Sequence, residues 1–284
     1  MLQRMPRDHP TTAPPPRHQR ADGAFELRFG PGGALRHLFQ QAPLRVLFPS
    51  PEPGEPPLAA VVNCAGGLAG GDALRQEVRL EAGARATVST AAAEKVYRSL
   101  GPETRVATRL SLGPGARLEW MPQETILFDG ARLERRLRAD LAEGATLLAA
   151  ETLVFGRAAR NERMRSGALL DAWRVVGPDG LLWADALALP DDPGEALAAP
   201  FGFAGAEALG TLLLAGAGAE AGRDLLRAMG AAAPGGATLP RPGLLLARWL
   251  GSASAVRASV GTAIVALRAG LLDLAPRLPR LWTT

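Results

Sequence analysis

The chain is poor in the side chains from which tight metal and nucleotide sites are built. It has one cysteine, Cys64, and three histidines, His9, His18 and His37, all close to the N-terminus. A lone thiol excludes an internal disulfide, which agrees with a reducing cytosol. With no Cys and His groups at ligand spacing, no tight metal site is expected. Lys95 is the only lysine and follows Glu94 rather than glycine, so there is no Walker A phosphate loop. Aromatics make up 5% of the chain, with a single tyrosine, which argues against a base-stacking nucleic-acid surface. No apolar run reaches the roughly 20 residues of a membrane-spanning helix. Pro14, Pro15 and Pro16 stand where a signal peptide would be apolar. These absences predict a cytoplasmic protein that binds neither membrane nor nucleic acid and holds no cofactor tightly.

What is present is apolar and arginine-rich. Hydrophobic residues account for 47% of the 284 positions, enough to bury a sizeable core. The formal net charge is +4, carried by arginines spread along the chain and interleaved with Asp and Glu. That pattern reads as solvated faces, and a diffuse basic surface of this kind suits an acidic protein partner.

Residues 1–22 are rich in Pro, Arg and His and lack periodicity, so they read as a disordered tail, and 23–284 as a single domain. The domain opens with a short strand, Phe25 to Phe29, stopped by Gly30, Pro31, Gly32 and Gly33. A motif then recurs: Val78–Val88, Leu110–Trp120 and Ala139–Ala149 each read as strand, Gly-Ala turn, strand, with glycines at 83, 115 and 144. In the first copy Val78, Leu80, Ala84, Ala86 and Val88 share one parity, and Arg79, Glu81, Arg85, Thr87 and Ser89 the other. In the second, Leu110, Leu112, Ala116, Leu118 and Trp120 alternate with Arg109, Ser111, Arg117 and Glu119. Alternation of this kind predicts one buried and one wet face. Glycine spacings of 32 and 29 suit stacked β layers better than βαβ units. Val175–Trp183 adds a hairpin around Pro178-Asp179-Gly180. Helical periodicity enters only in the last third, near 220–230 and over 252–274, where Val256, Val260, Ile264, Leu267 and Leu271 share a face. Ser252 or Ser254 would cap the longer helix and Pro276 stop it. The fold class is mainly β: β-helix-like stacked layers with a few accessory helices in the C-terminal third.

Candidate chemistry is sparse. The glycine-rich stretch Gly66, Gly67, Gly70, Gly71 precedes an alternating strand rather than a helix, so it reads as a tight crossing between layers. Asp72, Glu94, Glu119, Glu124 and Asp129 are the carboxylates that can hold a borderline metal weakly. Cys64 alone reads as a small hydrophobe. The histidines are too poorly placed for a Ser-His-Asp set, whereas paired carboxylates on a β-solenoid leave glycoside hydrolysis open. The block Met121 to Gly130 is either a strand ending in an Asp-Gly turn or a recognition and ion-handling surface.

At that block the sequence resembles the urease accessory protein UreD (UreH) family. Asn63–Asp72 looks like its glycine-rich segment ending in Gly-Gly-Asp, and Ala92–Arg98 resembles the next motif. Leu118–Gly130, Glu151–Arg157 and Pro279–Trp282 are similar to three more, in family order. The resemblance implies a β-helix-like fold and no catalytic turnover. It implies a scaffold on apo-urease that binds the accessory protein UreF and, through it, the GTPase UreG. It further implies nickel in transit along an internal path to the urease active site. Weak oxygen ligands suit such a path, because thiolate or imidazole clusters would trap the ion. Under this resemblance Asp72, Glu94, Glu124 and Asp129 are the path candidates. Gly66, Gly67, Gly70, Gly71, Lys95, Tyr97, Arg98, Gln123 and Phe128 would shape the path or hold partners. A docking scaffold with a dry interior, or a carbohydrate-active hydrolase, are the alternatives.

Overall fold

The structure, a computed structural model, describes residues 20–283; the tail expected over the first residues lies largely outside them. In chain order the strands are β1 (Asp22–Phe29), β2 (Leu35–Gln41), β3 (Leu44–Leu47), β4 (Leu58–Asn63), β5 (Ala73–Leu80), β6 (Arg85–Thr90), β7 (Glu94–Val96), β8 (Thr104–Leu112) and β9 (Arg117–Met121). There follow β10 (Thr125–Leu127), β11 (Arg132–Leu141), β12 (Thr146–Phe155), β13 (Ala168–Gly177), β14 (Gly180–Leu189), β15 (Ala208–Ala215), β16 (Gly235–Arg241) and β17 (Leu244–Gly251). The α-helices are α1 (Pro193–Ala198), α2 (Ala219–Ala228) and α3 (Ala253–Leu271).

The chain winds between two facing sheets. One has the order β14-β13-β11-β8-β5-β1-β2, the other β16-β17-β15-β12-β9-β6-β4-β3. From β4 to β13 successive long strands fall in alternate sheets, and their neighbours within each sheet are parallel. This is a β-solenoid, capped by antiparallel strands at both ends. The Gly-Ala motifs are its corners. Gly83 N donates to Pro114 O at 2.8 Å and Gly115 N to Glu143 O at 3.0 Å, so each corner rests on the next. Gly83, Gly115 and Gly144 have φ of 67°, 64° and 69°, a region a β-carbon disfavours.

The inward parity is as expected: Val78, Leu110, Leu118 and Leu147 fill the space between the sheets with Phe25, Leu27 and Phe29. The wet parity holds for the first sheet only. In the second sheet Thr87, Ser89 and Glu119 are buried, and β12 is buried along its whole length. The cause is the C-terminal third: α3 lays Val256, Val260, Ile264 and Leu267 on that outer face, against Leu148 and Leu212. The first strand begins at Asp22 rather than Phe25, because Asp22–Ala24 pair in parallel with Ala73–Arg75. The helix expected at 220–230 spans 219–228. That at 252–274 starts after Ser252, whose hydroxyl accepts from Ala255 N at 3.3 Å, and stops short of Pro276. Asp273 turns to φ 54° and Leu274 N returns to the Arg268 carbonyl at 3.1 Å, which closes the last turn. By length and composition α3 could cross a bilayer, but its apolar face is covered by the sheet and Arg268 is fully buried against it.

Candidate functional site

The family-like segments before residue 160 lie at, or run from β9 and β12 into, the places where the chain returns from the second sheet to the first, opposite the Gly-Ala corners. Stacking of the coils, 31 to 33 residues apart, sets these returns one above another. Asn63 Nδ2 donates to both oxygens of Glu94 at 3.1 and 3.0 Å. Tyr97 donates to the Gly66 carbonyl at 2.8 Å, and Arg98 to Asp129 at 3.0 Å. The short strands β7 and β10 continue the ladder, with Glu94 beside Thr125 and Leu153, and Val96 beside Leu127 and Phe155.

Behind this ladder, between the sheets, is a cavity of about 60 Å³, room for a few waters. Its wall is partly apolar (Val61, Leu74, Val88, Leu133) and partly polar: Ser89, Thr90, Glu94, Gln123, Thr125, Arg135 and Glu151. Burial pushes the Glu94 carboxyl above its ordinary range, against the amide of Asn63 and the backbone N–H of Lys95.

The deepest charges on the cavity wall are Arg135 and Glu151. Arg135 holds Asp171 through two bonds, Nε to Oδ1 at 2.8 Å and Nη2 to Oδ2 at 2.9 Å, and donates to Thr125 Oγ1 at 3.2 Å. Burial alone would lower its guanidinium, but Asp171 and Glu151 outweigh it and raise it. Glu151 Oε1 accepts from the Trp120 indole at 3.2 Å. Its Oε2 lies 2.8 Å from Arg135 Nη2 without a hydrogen bond among the described residues. Burial drives the Glu151 carboxyl up to about 7; Arg135 opposes this and Asp171 adds to it.

The other carboxylates singled out in the sequence are engaged elsewhere. Asp72 accepts the backbone N–H of Ala21 at 2.8 Å and of Ala69 at 2.7 Å, locking the glycine-rich crossing to the first strand. Asp129 Oδ1 accepts the backbone N–H groups of Arg165 and Ser166, both at 2.9 Å. Burial would raise its pKa, but these donors and Arg98 hold it below the ordinary value. Glu124 pairs with Arg257 of α3. The same guanidinium donates to Gln123 Oε1 and to the Trp282 carbonyl, both at 2.9 Å. Glu119 lies on the far side of the second sheet, 2.8 Å from Arg268 Nε. Thus of the four path candidates only Glu94 lines the cavity.

The remaining positions form the outer rim. Phe128 stacks edge-on with Tyr97 at 5.1 Å and carries Arg157 over its face at 4.2 Å. Lys95 is exposed, its carbonyl accepting from Leu68 N at 2.7 Å. A β-carbon on Gly67 would meet the Tyr97 ring at 2.6 Å, and one on Gly70 the Pro102 carbonyl at 2.6 Å. Gly66 and Gly71 have φ of 74° and 93°. Cys64 is exposed. Among the described residues no three His, Cys, Asp or Glu side chains converge as metal ligands.

Arg135 and Asp171 stand outside the family-like segments and Glu151 only opens one of them, and none is a site candidate by sequence, although Arg135 leaves a signal there. It shares the parity of Leu133, Leu137 and Ala139, all inward, and a charge on an apolar parity must find a buried partner.

Residues 20–283 match the family described as UreD urease accessory protein. The chain belongs to the UreD family. It is 54% identical over 238 residues to urease accessory protein UreD of Granulibacter bethesdensis, covering 84% of this chain and 99% of that one. It is 44% identical over 287 residues to urease accessory protein UreD of a Methylobacterium species, strain 4-46, covering 97% and 99%. With UreD 1 of Methylobacterium radiotolerans the identity is 47% over 228 residues, or 78% of each chain. Membership of the UreD family gives the chain a role in urease maturation.

Proposed function

We propose that this UreD-family chain passes nickel to apo-urease through its interior, in the cytoplasm, while its surface holds UreF and, through UreF, the GTPase UreG. The observation that carries this reading is the Glu151 carboxylate, buried at the cavity wall with its Oε2 held by the Arg135 ion pair at 2.8 Å and by no hydrogen bond among the described residues. An ionised carboxylate has about four lone-pair sites, and Trp120 and Arg135 leave some of them open to a cation in transit. Glu94 supplies a second carboxylate on the same wall. Oxygen ligands with hydroxyls and waters hold nickel loosely, as release at the far end requires. In this scheme Asp72, Glu124 and Asp129 keep the walls of the path in place.

The test replaces Glu94 and Glu151 together by Gln, in cells carrying urease and the remaining accessory genes. The expected result is a variant that still co-purifies with UreF and urease, while the urease it matures contains less nickel and is less active. Full nickel content in that urease would sink the path and leave a docking scaffold.

A further inference from the structure

The arginines that look dispersed in the sequence are gathered on one exposed face. The outer side of the first sheet carries, strand by strand in direct register, Glu26, Glu77, Arg109, Arg138 and Arg174. Neighbouring strands lie about 4.8 Å apart, so three guanidinium side chains rise side by side on β8, β11 and β13. The next row on the same face reads Ala24, Arg75, Ala107, Arg136, Ala172, in which alanine separates each arginine from the next. The row on the other side reads Arg28, Arg79, Ser111, Asp140, Val176, with two arginines in register, so Arg109, Arg138 and Arg174 form the longest of these runs.

Like charges directly opposite on adjacent strands destabilise a sheet, and little on the molecule relieves this triad. Asp140 is shared: Arg138 donates to it at 2.6 and 3.0 Å, and Arg109 lies 3.6 Å away. Arg174 is exposed and has no ion pair among the described residues. At the other end of the row Glu26 and Glu77 reverse the sign. The row is thus polar along its length, acidic towards β1 and basic towards β13.

We propose that this face docks an acidic protein surface borne by the urease assembly, with that partner's carboxylates over Arg109, Arg138 and Arg174. The inference rests on the urease-maturation reading. Arginine is the side chain suited to it, since its planar fork meets carboxylates in pairs. The reversal of sign at Glu26 and Glu77 fixes the orientation of a partner of mixed charge. A nucleic-acid backbone, uniformly negative, would be repelled by Glu26, Glu77, Glu134 and Asp140 on the same face.

The test uses the full chain, tagged and co-expressed with urease and the other accessory proteins, against R109E/R138E/R174E. Urease retained on the tag is measured at low and at high salt, with duplex DNA binding measured in parallel. The wild type is expected to retain urease at low salt and to lose it steeply as salt screens the contact. The variant should retain roughly tenfold less; R109Q/R138Q/R174Q, which leaves no like charges opposed among the three positions, should also lose retention while melting no lower than the wild type. A folded variant that retains as much urease as the wild type overturns the docking face and leaves the maturation role standing. A wild type that retains no urease defeats the maturation reading, and the proposal falls with it. Binding of DNA by the wild type, lost in the variant, overturns it in favour of nucleic acid.

Discussion

The indole N–H of Trp282 donates to the carbonyl oxygen of Met121 at 3.0 Å, tying the C-terminal motif to the block at 121–130 across 161 positions. Arg257 stacks over the same indole at 5.2 Å while bonding Gln123, so two separate motifs and α3 close into one clamp. Trp282→Ala is expected to cost about 3–5 kcal/mol of unfolding free energy. Trp282→Phe should cost less, since it loses the hydrogen bond but keeps most of the packing. Urea unfolding of both variants checks this, and equal small losses would mean that the clamp is peripheral.

Arg268 is fully buried between α3 and the solenoid, bonded to Glu119 and Glu55. Burial raises the Glu119 carboxyl while Arg268 and Thr87 pull it back. Arg268→Met would strand that charge, at a cost of about 3–5 kcal/mol. Adding Glu119→Gln should return a substantial part of it, because the residue left behind is neutral. The two substitutions are therefore expected to be strongly non-additive in chemical unfolding. Additive losses would show that packing, rather than the pair, holds α3 down.

Much of the solenoid was legible because its corners need glycine at positive φ and its inner face needs alternating apolar residues. Gly83, Gly115 and Gly144 announced the corners, and Val78, Leu110 and Leu118 the core. The outer face of the second sheet was not legible: Thr87 and Glu119 look solvated until α3 is placed over them, and nothing local encodes that placement. The site was legible in part for the same reason. Glu94 and Gln123 fall inside motifs and do line the cavity. Asp72 and Asp129 fall inside motifs too, but their oxygens are taken up by backbone N–H groups, and in Asp129 also by Arg98, that only tertiary structure supplies. The arginine row depended on register between strands some 30 residues apart.

Gly67 sits at φ 152° with the Tyr97 ring where a β-carbon would stand. Gly67→Ala is expected to destabilise by about 1–3 kcal/mol through backbone strain and the clash. In Gly67→Ala with Tyr97→Ala the clash is gone and the strain remains. The coupling between the two in a double-mutant cycle should reach about 0.5 kcal/mol or more. A cycle with no coupling would place the whole cost on the backbone and leave Tyr97 free to move.

Glu151 sets a pH dependence of a defined sign. Its carboxyl titrates near 4.5 when unfolded and near 7 when folded, so between those values the folded chain holds the proton more tightly. The stabilisation is complete below about pH 4.5 and is lost as pH rises through 7. A shift of this size corresponds to about 3 kcal/mol. Glu151→Gln removes the titration and keeps one acceptor oxygen, for Trp120 or for Arg135. The stability of that variant relative to the wild type should therefore climb by a few kcal/mol between acid and mildly alkaline pH. Subtracting the two curves cancels every group they share. A difference that stays flat would mean that Arg135 keeps Glu151 ionised throughout, and the cavity would then present a permanent negative charge to its cargo.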